Sequence, residues 1–367
     1  MGTPQAGPLR GIRVVELAGI GPGPYAATIL ADLGADVIRV DRPGQQQLGG
    51  GPGDLLTRNR PRVTVDLKSE QGIADVLTLA SRADILLEGL RPGVMERLGL
   101  GPKEMLARNP ALVYGRMTGW GQDGPLAQSA GHDLTYIATT GVLHQLGQAE
   151  ERPQFPMNLL GDFGGGSTFL VIGVLAALHN ARLTGNGQVV DAAIVDGTAY
   201  LDLMIAGLRS TGEHSEERAT NMLDGGLPYY RLYRTSDERW VAVGALEPQF
   251  FAQLVEGLGV GDRIGHQGDV SRHEEMATVF AETFATKSLE HWSQVFEGTD
   301  ACVAPVLTPT EAYRHPHLRS RGTYLEVDGV PQAAPAPRFA GTPTAPPTAG
   351  HTIDLEAALA RWTSVTW

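Results

Sequence analysis

The stretch RVVELAGIGPGPYAATILADLGADVIRV begins at Arg13 and predicts the fold of the first half of the chain. Its two ends, Arg13–Leu17 and Asp36–Val40, are short aliphatic runs typical of strands. Between them a Gly/Pro loop over 18–24 precedes a helical pattern over 25–33. A strand, a helix and a second strand in this order form the unit from which parallel sheets are built.

The same alternation continues downstream. Strands are predicted over 62–66 and 84–88, with a helix over 73–80 between them. This pattern predicts an α/β protein with a doubly wound, mostly parallel, Rossmann-like sheet. A polar segment over 207–226 predicts a linker, and the β-hairpin pattern around Asp237 opens a smaller α+β unit.

Length and composition are those of an ordinary globular protein. The chain has 367 residues, enough for two domains, with 42% hydrophobic and 19% charged residues. The longest apolar run, Phe169–Leu178, is shorter than the roughly 20 residues that cross a bilayer, and the N-terminus lacks the pattern of a secretion signal. We therefore expect a cytoplasmic protein that does not enter a membrane.

Cysteine and histidine are placed so that no metal site is predicted. A single cysteine, Cys302, excludes an internal disulfide and a cysteine-cluster metal site. Its apolar neighbours lead us to expect a buried, unreactive thiol. His315 and His317 lack a third ligand at metal-binding spacing.

The net charge of −12 is unevenly distributed along the chain. Residues 1–116 contain 14 of the 29 Lys and Arg but only 12 of the 41 Asp and Glu. An acidic protein is a poor candidate for binding nucleic acid. The locally basic first third instead favours a small polyanion, such as a nucleotide or the phosphate of an acyl carrier.

The Gly/Pro loop carries an incomplete dinucleotide-binding pattern. Gly19 and Gly21 fit the first two positions of that pattern, and Asp41 lies about 20 residues further on. The third glycine position falls on Pro24, and both Pro22 and Pro24 lack the N–H groups that hold a pyrophosphate. A structural turn is therefore favoured over NAD binding.

Seven basic residues lie close to the ends of the predicted strands. They are Arg42, Arg58, Arg60, Arg62, Lys68, Arg91 and Arg97. All but the three before the third strand follow the carboxyl end of a strand, the edge where open α/β sheets bind ligands. Because guanidinium groups pair bidentately with phosphate, the set favours a phosphorylated ligand, although each residue alone is equally consistent with a solvated loop side chain.

Two ionisable groups precede predicted helices. His132 and Asp133 stand before a short helix, and Asp162 stands before GGGS and a long helix over 165–183 that is apolar on most faces and expected to be buried. Taken singly, each is more often a structural residue or a helix cap. The three glycines weaken that interpretation for Asp162, because they favour close backbone approach over helix initiation. His132 and Asp162 are candidates to flank a reacting carbon.

Several motifs together resemble the family III CoA-transferase superfamily, and within it the α-methylacyl-CoA racemase family. They are GIRVVEL from Gly11, LADLGADVIRVD from Leu30, RNR from Arg58, VDLK from Val65, EGLRPG from Glu88, RLGLG from Arg97, MTGWGQDGP from Met117, GHD from Gly131 and EPQF from Glu247. The resemblance runs nearly from end to end. It is weakest over 207–220 and after residue 330.

The resemblance implies a set of catalytic and substrate-binding residues. His132 and Asp162 would be the two acid/base groups at the substrate α-carbon, Asp133 would follow the histidine at the helix start, and Glu247 would hydrogen-bond and orient His132. The CoA portion would be contacted by Arg42, Val65, Asp66, Leu67, Lys68, Gly89, Leu90, Arg91, Arg97, Gly131, Leu134, Thr135 and Tyr136. No metal and no separate cofactor are implied, since CoA is part of the substrate.

The implied reaction interconverts (2R)- and (2S)-2-methylacyl-CoA. Inversion of a carbon α to a thioester requires removal of a proton on one face and delivery on the other, through an enolate, by two groups in opposite protonation states. The carboxylic acid must stay protonated in part of the cycle, which burial favours. Backbone N–H groups at the helix start after His132 are candidates to stabilise the enolate oxygen.

Two other readings stay open at this point. In a CoA-transferase on the same fold, Asp162 would be the nucleophile that forms an acyl-enzyme anhydride and then an enzyme–CoA thioester. A base at His132 is not needed on that route. An NAD-dependent dehydrogenase or a CoA-binding protein without catalysis is the third reading.

The resemblance also implies an interlocked homodimer and a domain division. Residues 1–205, completed by 319–367, would form a large CoA-binding domain, 206–224 a linker and 225–318 a small domain. Glu247 would approach His132 from the other subunit. The loop over 45–54 is longer than the resemblance leads us to expect, so the mouth of the CoA site would differ there.

Overall fold

The computed structural model describes residues 6–44 and 53–362. The chain divides into two compact units. The first comprises residues up to Thr140, Pro156–Leu201 and the part from Pro316 onwards; the second comprises Gly141–Phe155 and Asp202–His315. Most of the predicted loop over 45–54 lies outside the described residues.

The strands are numbered in chain order. They are β1 (Arg13–Leu17), β2 (Asp36–Asp41), β3 (Pro61–Thr64), β4 (Ile85–Glu88), β5 (Val113–Thr118), β6 (Val189–Ala193), β7 (Tyr230–Arg234), β8 (Trp240–Gly244), β9 (Val303–Pro305), β10 (Tyr324–Val327), β11 (Val330–Ala333) and β12 (His351–Thr352).

The helices follow the same numbering. They are α1 (Pro22–Asp32), α2 (Glu70–Ala80), α3 (Val94–Arg97), α4 (Pro102–Arg108), α5 (Asp133–Thr139), α6 (Thr168–Thr184), α7 (Ile194–Leu201), α8 (Leu203–Thr211), α9 (Pro248–Leu258), α10 (His273–Phe284), α11 (Leu289–Phe296), α12 (Pro309–Ala312), α13 (Pro316–Ser320) and α14 (Leu355–Arg361). A π-helix, Leu159–Ser167, runs directly into α6.

The first unit is built on a seven-stranded sheet of order β12-β3-β2-β1-β4-β5-β6, and every neighbouring pair is parallel. The predicted doubly wound α/β fold is therefore confirmed. The four strands predicted from the sequence are present. The fifth and sixth were not predicted: β5 contains Gly115 and Arg116, and β6 begins with a half that is exposed at Val189 and Asp191.

Alternate side chains of the central strands fill two hydrophobic cores, one on each face of the sheet. Val14 and Ile85 point to the face covered by α1 and α6, whereas Val15 and Leu86 point to the face covered by α2 and the C-terminal α14. A strand with covered faces on both sides appears in the sequence as a continuous apolar run, which is why β1 and β4 were predictable.

The strand order reverses between β1 and β4. Loops that leave the carboxyl ends of these two neighbours diverge to opposite faces, so a crevice opens between them. The loop after β1 begins at Ala18 and the loop after β4 begins at Gly89. This reversal marks the edge at which the fold places a ligand.

The three arginines before and in β3 do not serve as free phosphate-binding groups, which corrects the prediction for them. Arg60 is fully buried and pairs with Glu16 of β1 at 2.5 Å. Arg39 bridges Glu16 and Asp41, and Arg62 pairs with Asp41 at 2.8 Å. Burial raises the pKa of Glu16 against the opposing pull of the two guanidinium groups.

Arg58 completes this correction. Its guanidinium group pairs with Asp32 at the end of α1 and donates to the Gln332 side chain and the Ala333 carbonyl on β11. Asn59 donates to the same Asp32 carboxylate. These contacts hold the C-terminal segment of the chain against the sheet, so the RNR motif has a structural role.

The second unit contains a three-stranded antiparallel sheet of order β7-β8-β9. The predicted hairpin around Asp237 is present as β7 and β8, and α9, α10 and α11 pack on it through a core that includes Phe280 and Trp292. The segment over 206–224, predicted to be a linker, begins inside α8. Cys302 is exposed with a φ of 53°, so the prediction of a buried thiol is wrong.

The π-helix and α6 form one continuous helix, Leu159–Thr184, of 26 residues, which contains an 18-residue window of mean hydropathy 1.6. By length and composition it is able to cross a membrane, a property that buried core helices share. Its burial is one-sided, contrary to the prediction, because Leu170 and Val174 are fully buried whereas Ile172 and Leu183 are 56% and 73% exposed.

Removal of the Glu16 charge is expected to destabilise the first unit. Glu16→Gln leaves the fully buried Arg60 without its carboxylate partner, which costs about 3–5 kcal/mol. The urea unfolding transition, followed by circular dichroism, measures the loss. Glu282→Gln, which breaks the exposed pair with Arg263, is the control and should change the free energy of unfolding by less than about 0.5 kcal/mol. An equal response of the two variants would contradict the account.

Candidate active site

Most residues predicted to contact substrate lie on one edge of the large sheet. Arg42 follows β2, Val65 to Lys68 follow β3, Gly89 to Arg91 follow β4, Arg97 ends α3, and Gly131 to Tyr136 enter and form α5. Since parallel strands end at the same edge, the fold places all of these segments, which are distant in sequence, on the side that the strand reversal identifies.

His132 is the N-cap residue of α5. Its backbone N–H donates to the Thr135 hydroxyl at 3.0 Å, and its carbonyl accepts from the Thr135 N–H at 2.8 Å. Thr135 therefore sets the backbone conformation at the histidine. The imidazole itself is exposed in this chain and available to a ligand.

Asp133 holds the two functional segments together. Its side chain is 5% exposed, and its Oδ1 accepts from the Asp162 backbone N–H at 2.6 Å. Gly161 lies directly against it, because a Cβ at that position would be 2.5 Å from the same oxygen. Burial raises the pKa of Asp133, and the N–H groups of Asp162 and Gly161 oppose that rise. The role of Asp133 in the geometry is to position Asp162.

Asp162 lies inside the π-helix, where three glycines make the packing possible. A Cβ at Gly165 would be 2.6 Å from the Thr198 hydroxyl on α7, and a Cβ at Gly166 would be 3.0 Å from the Ile194 side chain. π-helical turns are rare in proteins, and those that do occur are frequently found at functional sites. The predicted close backbone approach around Asp162 is thus present, with the helix starting earlier than residue 165.

The Asp162 carboxyl is half-buried between the π-helix and the loop after β1. Asn158 donates to its Oδ2 at 3.3 Å, and a Cβ at Gly21 would be 3.2 Å from the same oxygen. Burial is the main cause of its raised pKa, and the nearby Asp133 carboxylate acts in the same direction. The charge on His132 acts on Asp162 in the opposite direction, so the two groups lie within electrostatic range of each other.

Tyr136 is clamped beside this pair. It is 8% exposed, and a Cβ at Gly119 or Gly131 would be 2.0 or 2.4 Å from its ring. Trp120 contacts it edge-on with ring centroids 4.8 Å apart. Burial raises the pKa of Tyr136, and so does the Asp162 charge, whereas Arg91 lowers it. Tyr136 therefore lies between the loop after β4 and Asp162.

The remaining basic residues of the predicted set differ from the buried arginines. Arg42, Lys68, Arg91 and Arg97 are exposed, and within residues 6–44 and 53–362 none of them forms an ion pair. Cationic groups without carboxylate partners at a ligand-binding edge suit an anion. These four are the members of the predicted set that can contact phosphate.

Glu247 lies in the second unit. It is the exposed N-cap residue of α9, and the Gln267 side chain donates to the preceding Leu246 carbonyl at 2.8 Å, which fixes the backbone there. Its predicted contact with His132 stays a prediction. Partial desolvation raises the pKa of the exposed Cys302 thiol, and the nearby Glu247 charge acts in the same direction.

Chemically, the arrangement offers a carboxyl with a raised pKa and an imidazole at one ligand-binding edge. Each of the two groups can take up and release a proton, so together they can exchange protons with a bound molecule. Over the described part of the chain, no group of three or more potential metal ligands occurs.

Two residues of the site were not predicted from the sequence. Asn158 is four residues before Asp162, a spacing at which side chains meet on a helix, but the helix was predicted to start only at residue 165. Gly21 was considered as part of a dinucleotide loop. Its φ of 64° and its contact with the Asp162 carboxyl show the real requirement for glycine there.

The raised pKa of Asp162 predicts a pH-dependent effect on stability. The folded protein binds the Asp162 proton more tightly than the unfolded chain does, because the pKa of this carboxyl is raised above its ordinary value of 3.8. Ionisation of Asp162 therefore lowers the free energy of unfolding as the pH rises above about 4. Asp162→Asn, neutral at every pH, should raise the urea midpoint at about pH 7 and lose this advantage towards about pH 4. The exposed Asp262→Asn is the control. A lower midpoint for Asp162→Asn at neutral pH would contradict the account.

Comparison with known proteins gives one consistent result. The model of CoA-transferase family III matches residues 9–352. The α-methylacyl-CoA racemase of Mus musculus is 44% identical over 356 residues, 95% of this chain and 92% of the mouse protein. That of Homo sapiens is 44% identical over 342 residues, 92% and 88% of the two chains. A solved hypothetical protein of Mycobacterium tuberculosis has a TM-score of 0.79 and 28% identity, covering 95% and 98% of the two chains. The chain belongs to CoA-transferase family III.

Proposed function

We propose that the protein is a racemase that interconverts (2R)- and (2S)-2-methylacyl-CoA thioesters. The observation that carries the proposal is the pairing of Asp162, a carboxyl whose pKa burial raises, with the imidazole of His132. The 44% identity to proteins named α-methylacyl-CoA racemase over most of the chain supports the same function.

The reaction consists of two proton transfers. Neutral His132 takes the α-proton from one epimer, and the C–H electron pair moves into the thioester to give an enolate. Protonated Asp162 then gives its proton to the other face of the α-carbon, which regenerates the thioester with inverted configuration. For the other epimer the two groups exchange roles, so each must be able to act as acid and as base.

Burial of Asp162 raises its pKa and thereby favours the carboxylic acid form. An ordinary aspartic acid is ionised near neutral pH and delivers no proton, whereas a raised pKa brings donor and acceptor closer in strength. Asn158 donates to the ionised form and limits the rise. The half-buried position of this carboxyl therefore fits its proposed double role.

The enolate oxygen would lie at the start of α5. The first N–H groups of a helix have no acceptor within the helix, and Asp133 and Leu134 occupy these positions directly after His132. Donors held in place by the backbone stabilise developing negative charge without reorganisation. The Thr135 and Asp133 hydrogen bonds fix these donors relative to the reacting groups.

The CoA portion would be held by the loops after β2, β3 and β4. Arg42, Lys68, Arg91 and Arg97 are the exposed cations at this edge, and their charges complement the phosphates of CoA. The loop after β4 lies beside the proton-transferring groups, since Arg91 acts electrostatically on Tyr136.

Glu247 would orient His132 across a subunit interface of an interlocked homodimer. A run of exposed apolar side chains supports association: Tyr200, Leu203 and Met204 are 64%, 62% and 60% exposed. Apolar surface of this kind marks a contact region. A carboxylate beside the imidazole would favour one tautomer and stabilise the protonated state.

Hydrogen exchange in deuterated water tests the function. Each pure epimer of a 2-methylacyl-CoA is incubated with the protein, and loss of the α-proton signal is followed by NMR with chiral analysis of the hydrolysed acid. Exchange together with formation of the other epimer is expected. Thioester transfer to an added carboxylic acid without exchange, with an acyl-enzyme trapped by hydroxylamine, would instead make Asp162 the nucleophile of a CoA-transferase.

Single-base variants should separate the two half-reactions. His132→Ala retains Asp162 and should still exchange the α-proton of one epimer without inverting it, whereas Asp162→Ala should do so only for the other epimer. Racemisation should fall by more than about 100-fold in both. Loss of exchange with both epimers in both variants would contradict the two-base mechanism.

Mixed dimers test the position of Glu247. If Glu247 serves the other subunit, dimers formed from His132→Ala and Glu247→Gln chains contain one intact site, and refolding an equal mixture should restore about one quarter of wild-type activity. If Glu247 serves its own subunit, no intact site forms and the mixture is no more active than the separate variants.

A further inference from the structure

The loop after β4 is shaped by a chain of charged side chains, buried at Glu88 and Arg116, that the proposed reaction does not use. Glu88 is the last residue of β4 and is 2% exposed. The residues that follow it, Gly89 to Gly93, form one wall of the crevice at the strand reversal between β1 and β4. A carboxylate buried at this point requires partners that offset its lost hydration.

The two oxygens of Glu88 have different partners. One accepts from the Leu90 backbone N–H at 2.7 Å, so the carboxylate turns the chain as it leaves the strand. The other accepts from Arg116 Nε at 2.9 Å, on the neighbouring strand β5. Glu88 thereby ties the first residues of the loop to the body of the sheet.

Arg116 extends the connection to the other end of the loop. Its two terminal nitrogens donate to the two carboxylate oxygens of Glu96, at 2.8 and 3.3 Å. Glu96 lies on α3, beside Arg97. The side chains of Glu88, Arg116 and Glu96 therefore form a continuous set of ion pairs, which we call the brace. The brace joins the start of the loop to α3, the helix that follows the loop.

The geometry of the loop matters because of the residues that it presents. Arg91 is exposed, and its charge acts on Tyr136, which is itself within range of Asp162. At the far end, Gly93 has a φ of 82°, and a Cβ there would be 3.1 Å from the Arg97 guanidinium group. Arg91 in this loop and Arg97 on the helix that follows it thus both depend on the backbone that the brace holds.

The brace differs from the ion pairs under β1, β2 and β3. Those bury their charges among strands and α1, whereas the Glu96 side chain is 44% exposed and the brace ends at the loop. Burial raises the pKa of Glu88, and Arg116 and the Leu90 N–H oppose this rise. Replacing a buried ion pair by apolar residues is often neutral or stabilising, so we expect the Glu88 pair to matter for the conformation of the loop more than for stability.

We propose that Glu88 is a positioning residue for the CoA portion of the substrate, acting through the Leu90 N–H and Arg116 on the loop that presents Arg91 and Arg97. This inference rests on the proposed function for the identity of the substrate. Glu88 does not touch the reacting atoms. It sets the affinity for the carrier and leaves the proton transfers to His132 and Asp162.

A comparison of two substrates tests the inference. Glu88→Gln preserves the volume and one acceptor oxygen but removes the charge that Arg116 and the Leu90 N–H share. With the full CoA thioester, KM should rise about tenfold with kcat within about twofold of wild type. With the N-acetylcysteamine thioester of the same acid, which lacks the nucleotide, kcat/KM should change by less than about twofold. An equal loss with both substrates, or an unchanged KM for the full thioester, would overturn the inference.

Two further variants keep the test decisive. Glu356→Gln, an exposed glutamate on α14, is the matched control and should leave both substrates unaffected. Glu96→Gln removes only the exposed end of the brace and should raise KM for the CoA thioester about threefold. This variant tests the inference if Glu88→Gln does not fold. No rise for a folded Glu96→Gln, in that case, would overturn the inference.

Binding of free CoA separates this inference from the proposed function. Calorimetric titration should give a Kd for Glu88→Gln about tenfold above that of wild type. If wild type binds CoA but exchanges no α-proton, the proposed reaction fails while the role of Glu88 is still measured. If wild type exchanges the proton and Glu88→Gln binds CoA as tightly as wild type, the inference fails alone.

Discussion

The hydrogen bond from the Asp162 N–H to the Asp133 carboxylate is the contact on which the proposed chemistry depends. At 2.6 Å it joins the start of α5, which carries His132, to the π-helix that carries Asp162. Gly161 allows the approach, because any side chain there would strike Asp133. The two elements are thereby held side by side at the edge where the strand order of the sheet reverses, where they form the proposed reaction centre.

Charged groups of the first unit fall into two populations with different roles. Arg39, Arg58 and Arg60 are buried against carboxylates and hold strands and helices together. Arg91 in the loop after β4 and Arg97 on α3 are exposed, and both lack carboxylate partners within the described residues. The brace links the two populations, because the buried Glu88 and Arg116 hold the backbone of the loop that carries the exposed Arg91. A polyanionic carrier would then bind to exposed arginines whose positions are fixed by buried ion pairs.

Local patterns in the sequence predicted much of the fold and fewer of the contacts. The strands β1, β2 and β4 were predictable because both of their faces are buried, whereas β3 is buried at alternate residues only. Asp162 stood out because an ionisable residue followed by glycines is unusual at a helix start, and His132 because it lies directly before a predicted helix, next to Gly131 and Asp133. The π-helix was not predictable, because three glycines disfavour a helix locally, and the contacts that favour one, such as those with Thr198, Ile194 and Asp133, come from other elements of the chain. Arg60 looked like its neighbours in the loop, since its partner Glu16 is 44 positions away.

The distribution of deuterium at the start of the reaction tests the two-base account most directly. One epimer is incubated in deuterated water, and both epimers are analysed at low conversion by mass spectrometry. Because His132 and Asp162 each carry a single exchangeable proton at the reacting position, the product should hold deuterium at the α-carbon while the remaining substrate keeps its protium. Equal labelling of substrate and product from the outset would show that one group serves both faces, and would contradict the account.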